Sequence, residues 1–170
     1  MEMVFKLRMI NDEDDNFVRD YEVFYSMTLL DFHYLICEDL QYDPGNMVSF
    51  FAADRRWRKF QEFTLVDVGE GTDPERPPVP MGEVFLGQIL HNNNDRLIYQ
   101  FDVFEDRAMY LELMAATRTQ EGLAYPRVAF ANGAPPDQFD PAASPRNQSI
   151  FEEAMDGFSD FSGDDEYDDE

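Results

Sequence analysis

Three carboxylates fall close together at Asp102, Glu105 and Asp106. Carboxylates in such proximity can hold Mg²⁺ or share a proton. With His33 as a general base they would suit a metal-assisted hydrolase. Solvation of a turn accounts for the same three residues equally well. His33 also reads as a core histidine held by packing or a hydrogen bond. His91 stands in a polar turn, and the two histidines lack metal-motif spacing, so the residues call for no metal and no cofactor. Cys37, within a helical pattern, reads as a small buried apolar group.

A second cluster is basic: Arg55, Arg56, Trp57, Arg58 and Lys59, with four cations flanking the only tryptophan. Such a patch could stack on a base or hold a phosphate, which makes direct nucleic-acid binding one alternative. It could instead bind the chain's own acidic end, or be an ordinary charged turn with Trp57 tucked into the core.

The third cluster is the C-terminal stretch Phe151–Glu170, with ten carboxylates and no Lys or Arg. Dense like charge with little apolar surface predicts disorder in isolation. Yet Phe151, Phe158, Phe161 and Tyr167 stand among the acids, with Asp164, Asp165, Glu166, Asp168 and Asp169 around the last. Acid with spaced aromatics suits docking on a basic surface that also offers apolar pockets. Simple solubilisation is the rival reading of the same tail.

The elements that would position these groups are set by pattern. The chain has 170 residues, enough for one domain with a real core. Phe5, Leu7 and Met9 alternate with Lys6 and Arg8, and Phe17, Tyr21 and Val23 alternate over 17–24, which predicts a hairpin across the turn 11–15. Thr28 to Leu40 predicts a helix, with Thr28 capping, Asp31 in its first turn, and Leu29, Phe32, Ile36 and Leu40 facing a sheet. Asp43-Pro44-Gly45 is expected to stop it. Strands are predicted at 47–53 and 60–68, the first apolar on both faces and so central. The stretch 69–82 reads as a long exposed loop, and 84–90 as a helical turn with Phe85, Leu86 and Ile89 inward. Leu97, Tyr99, Phe101 and Val103, then Met109, Leu111 and Leu113, predict a second hairpin turning at Glu105-Asp106. Residues 122–147 read as irregular, and Ser149 with Glu152 could open a short amphipathic helix. The fold class is α+β: a mostly antiparallel sheet of hairpins with the 28–40 helix on one face, and an acidic tail. The expected division is a domain over 1–148 and a tail over 149–170.

TLLDFHYLICEDLQYD (28–43) followed by Phe50-Phe51 resembles the helix-then-strand core of the plasmid pRiA4b ORF-3-like family. Phe32-His33 and Gln41-Tyr42-Asp43 occupy the places of its Leu-His pair and its aromatic-Asp turn. LIYQFDVFEDRAMYLEL (97–113) is similar to its second hairpin, and Gly133-Ala134-Pro135-Pro136-Asp137 to its closing segment. The departures are Asn46-Met47 where a second His is common, Phe104 and Arg107 where Gly and Trp are usual, and a closing segment without Cys or a double Gly. The resemblance implies a fold and little chemistry. Members are often labelled as insertion-element passengers or resolvase-related. That activity needs a nucleophilic Ser beside clustered Arg and a basic DNA-binding arm, and this chain shows no such constellation.

Charge then bounds the partners. The net charge is −23, and residues 1–150 still carry 26 acids against 13 bases. Unassisted binding to duplex DNA or an anionic membrane is therefore not expected. No stretch is long enough for a membrane span, the start MEMVFKLRMI lacks a signal-peptide pattern, and the single Cys fits a reducing compartment, so the expected setting is cytoplasmic. The function expected first is a non-enzymatic acidic interaction module that docks on a basic protein or on the basic face of a transcription, replication or translation machine. Nucleic-acid mimicry is its stronger form.

Overall fold

In the computed structural model, which describes residues 2–69, 71 and 74–139, the two alternating runs become strands β1 (Met3–Asn11) and β2 (Val18–Phe24), paired antiparallel. Phe5, Leu7 and Met9 are buried together with Phe17, Tyr21 and Val23, so one face of the hairpin is core. The chain divides after Pro135, and the fold described is that of Met1–Pro135. Of Pro136–Glu170, residues 136–139 are described and hold no helix or strand. The expected 149–155 helix and the acidic tail lie outside the described residues.

Helix α1 (Leu29–Leu40) opens as its sequence predicts: the Thr28 hydroxyl accepts from the Asp31 N–H at 3.0 Å, with an acid in the first turn. It ends at Leu40 as expected, where Gln41 takes the left-handed conformation, φ 62°, and the Tyr42 N–H bonds to the Cys37 carbonyl.

Among the described residues eight strands form one sheet in the order β5-β4-β3-β6-β7-β1-β2-β8. The others are β3 (Ser49–Ala53), β4 (Lys59–Thr64), β5 (Val79–Pro80), β6 (Arg96–Asp102), β7 (Arg107–Arg118) and β8 (Arg127–Asn132). All neighbours pair antiparallel except β4 and β5. The mostly antiparallel α+β class is thus the observed one, and β3 is an inner strand as its two-faced apolarity predicts. Helix α1 lies on one face. Its Phe32 stacks on Phe50 of β3 at 5.8 Å, and Phe50 meets Tyr99 of β6 at 4.8 Å. Burying rings of this size contributes about 2 kcal/mol each.

Several boundaries move. The 69–82 segment is not all loop: β5 and a short 3-10 turn, Met81–Glu83, bring Met81 fully into the core. Helix α2 (Leu86–Ile89) buries Leu86, but Phe85 points outward, 45% exposed. Its Phe85 position serves instead as the extended residue entering the turn. The strand expected to reach 68 stops at Thr64, whose hydroxyl bonds to the Val66 carbonyl. The 122–147 stretch, expected to be irregular, contributes the edge strand β8 against β2. Arg19 explains its place. From a core-facing position on β2, its side chain donates to the carbonyls of Asn132 and Gly133 and to Asp39 of α1. No helix among the described residues is long and apolar enough to cross a membrane.

Candidate functional site

Strand register sorts the chemistry-bearing residues into three places. Ala53 pairs with Arg96, whereas Asp102 pairs with Arg107 and Asn11 with Met109. The 54–58 and 91–95 turns therefore share one end of the sheet. The 11–16 and 103–106 turns share the other.

His33 lies at neither end. Helix α1 holds it fully buried against the sheet, with Nδ1 2.8 Å from the Tyr99 hydroxyl and Nε2 3.0 Å from the Pro44 carbonyl. A carbonyl can only accept, so Nε2 carries the proton and Nδ1 accepts from Tyr99. Burial pushes the His33 pKa down, against the opposing effect of the Pro44 bond, so the ring is neutral. Burial, and then Cys37, pushes the Tyr99 hydroxyl well above its ordinary value, which keeps it a donor. The Cys37 sulfur sits 3.5 Å from that hydroxyl, and burial raises the thiol in turn. A protonated, enclosed thiol is not a nucleophile poised for attack. His33 is bonded to Tyr99 and Pro44 rather than to Asp102, Glu105 or Asp106, so the structure does not assemble these four into one site.

The three carboxylates sit at the acidic end with Asp12, Glu13, Asp14 and Asp15 of the β1–β2 turn. Arg107 holds this end together. Its side chain, 5% exposed, donates to Glu13 at 3.0 Å and to Asp102 at 3.3 Å, and lies 4.8 Å from the Phe101 ring. Burial opposes its charge, but Glu13 and then Asp102 raise its pKa further. Asp106 accepts from Gln100 at 2.7 Å and pairs with Lys59 at 3.8 Å. The Glu105 N–H donates to Asp102. Among the described residues no three His, Cys, Asp or Glu are grouped so as to hold a metal ion. At the tip of this end stands Phe104, 85% exposed.

The basic patch forms the β3–β4 turn. Asp54 organises it, accepting from the Arg56 and Arg58 N–H groups and from the Arg58 guanidinium. The Arg58 N–H above all holds the Asp54 carboxyl below its ordinary value. Trp57, φ 63°, is only half-buried. It packs on the sheet face away from α1, edge-on to Tyr110 at 5.2 Å and under the Arg96 guanidinium at 4.4 Å. Trp57 is thus not in the main core, and one of its faces is already covered. Lys59 lies 4.3 Å from the Phe51 ring. Arg55 and Arg56 are exposed. The tail residues Phe151, Phe158, Phe161, Asp164 to Asp169 and Tyr167 are outside the described residues.

Sequence reasoning missed two groupings. Phe104 offered no signal beyond an apolar residue in an acidic turn. Arg76, His91 and Arg96 gather beside Arg55 only because strand pairing brings distant segments together.

The model of the plasmid pRiA4b ORF-3-like protein family matches residues 3–144. The chain is also similar to a crystal structure of a protein of unknown function from Methanosarcina mazei Go1. The TM-score is 0.61 at 18% identity, over 77% of this chain and 70% of that one, a likeness of fold. No curated protein matches the chain.

Proposed function

This chain belongs to the plasmid pRiA4b ORF-3-like family, and on that scaffold we propose that it is a non-enzymatic acidic interaction module acting in the cytoplasm. Its partner is a basic protein, or the basic face of a transcription, replication or translation machine. The observation that carries this reading is Phe104, 85% exposed at the tip of a sheet end built from two acidic turns. Single exposed apolar residues are ordinary. Here the residue stands in the chain between Asp102 and Glu105-Asp106, with Asp12, Asp14 and Asp15 on the neighbouring turn. A surface that matches it must offer cations around an apolar pocket. The Phe151–Glu170 stretch repeats that chemistry in its sequence, with Phe158, Phe161 and Tyr167 among carboxylates. The closed hydrogen bonding of His33 and the pairing of Asp102 and Asp106 support a binding role over an acid–base one.

The test is affinity capture from native lysate followed by titration of the captured partner at rising salt. Four chains are compared: full-length, a chain ending at Gln148, Phe104→Ser, and the two changes combined. The expected result is a basic partner whose affinity falls with salt, falls with either change and is lost with both. A partner held equally by all four chains, with no salt dependence, would dismiss the reading.

A further inference from the structure

The end of the sheet opposite Phe104 carries a cleft of about 870 Å³, bounded by the β3–β4 turn, the 75–79 segment and the 88–96 stretch. We propose that this cleft binds a phosphorylated heterocycle of nucleotide size. The inference goes beyond the interaction reading and uses none of the residues that carry it.

The volume falls within the range of small-molecule sites, about 300–1,000 Å³. The floor is apolar, from Ala52, Phe63, Val79 and Ile89. On the rim Phe60 is 49% exposed and offers an aromatic face for stacking. Arg55 and Arg76 stand on the rim, both exposed, with His91 and the carboxylates Asp54, Glu75 and Asp95 also on the lining. Guanidinium groups match phosphate oxygens in a planar fork.

Arg76 donates from Nη1 to the Phe60 carbonyl at 2.6 Å and keeps its other N–H groups for a ligand. Arg96 is engaged by the protein: it donates from Nη1 to the Arg55 carbonyl at 2.7 Å, its Nη2 is 4.0 Å from Glu112, and its guanidinium covers Trp57. Two of the lining carboxylates are turned to internal work instead. Asp54 holds its own turn, and Asp95 accepts the His91 and Asn92 N–H groups. An incoming phosphate therefore meets the exposed guanidinium groups of Arg55 and Arg76, with Glu75 beside Arg76 as the third lining carboxylate.

The heterocycle is inferred from the amides. Gln61 uses its Nε2 on the Glu62 and Pro77 carbonyls, Gln88 uses its Oε1 on the Phe85 N–H, and Asn94 uses its Nδ2 on Glu112. Each thus keeps a further hydrogen-bonding atom, an acceptor on Gln61 and Asn94 and a donor on Gln88. Mixed donors and acceptors beside an aromatic face suit the edge and face of a base.

Calorimetric titration of the full-length chain at low salt tests this, with Trp57 fluorescence as a second readout. The probes are adenosine monophosphate, adenosine and inorganic phosphate. Saturable binding of adenosine monophosphate is expected at micromolar to millimolar concentration, with adenosine and phosphate each much weaker. Arg55→Gln and Arg76→Gln, both exposed positions, should each weaken it about tenfold with unchanged melting of the free protein. Three results would overturn the proposal: no binding of adenosine monophosphate by either readout, equal binding by both variants, or phosphate alone binding as tightly. The last would identify a simple anion site.

Discussion

The Tyr99 hydroxyl donates to Nδ1 of His33 across 2.8 Å, joining the centre of the sheet to the helix that covers it. The bond also sets the ring's tautomer, because the Pro44 carbonyl takes the proton on Nε2. Replacing Tyr99 by Phe keeps the ring packing and leaves Nδ1 buried without its donor. A loss of about 1–3 kcal/mol is expected, read as a lower urea midpoint at unchanged m-value. A Tyr99→Phe chain as stable as the parent would mean that Cys37, its sulfur 3.7 Å from Nδ1, takes over as donor.

Burial depresses the His33 pKa below its ordinary 6.5. The unfolded chain takes up the His33 proton near that value, and the folded chain only at lower pH. In the interval the unfolded state binds more protons, so stability falls as pH drops below 6.5 and levels off below the folded-state value. Thermal melting between pH 8 and the top of the carboxylate range, about pH 5, reads the slope. His33→Gln should lower stability at neutral pH yet flatten the profile in that window. An identical slope in the variant would locate the effect elsewhere.

Arg107 is nearly enclosed between Glu13 and Asp102, and it ties the two acidic turns together. Arg107→Met keeps much of the volume but leaves two partly buried carboxylates facing each other's charge. A cost of about 3 kcal/mol is expected, larger at low salt than at high salt, where screening relieves the repulsion. Chemical denaturation at two salt concentrations would measure it, and equal losses at both would exclude the electrostatic account.

Gly133 follows β8 with φ +79°, and a Cβ there would lie 2.7 Å from the Asn16 carbonyl oxygen. Backbone cannot step aside as a side-chain tip can. Gly133→Ala should cost about 1–3 kcal/mol. Hydrogen exchange should show the extra opening concentrated in β8 and the end of β2, where Arg19 reaches the Gly133 carbonyl. Protection unchanged in β8 would show that the edge strand does not depend on this contact.

Sequence alone determined the two hairpins, the 28–40 helix with its Thr28 cap, and the acidic balance. Each is a local property: a period of two or 3.6 residues, a side chain three residues from an N–H, a sum of charges. Tertiary structure decided the rest. β8 has no buried alternation of its own to announce it, since an edge strand is held by pairing with β2 and by Arg19. Arg19 itself, a charge on the core side of β2, is tolerated because Asp39 arrives from the helix and the Asn132 and Gly133 carbonyls from the end of β8. The same holds for chemistry. His33, Asp102, Glu105 and Asp106 were legible as residue types, but whether they meet depends on register, and register keeps them apart. Arg55, Arg76, His91 and Arg96 share a cleft because β3 pairs with β4 and β6, contacts between segments far apart in the chain that no local pattern records.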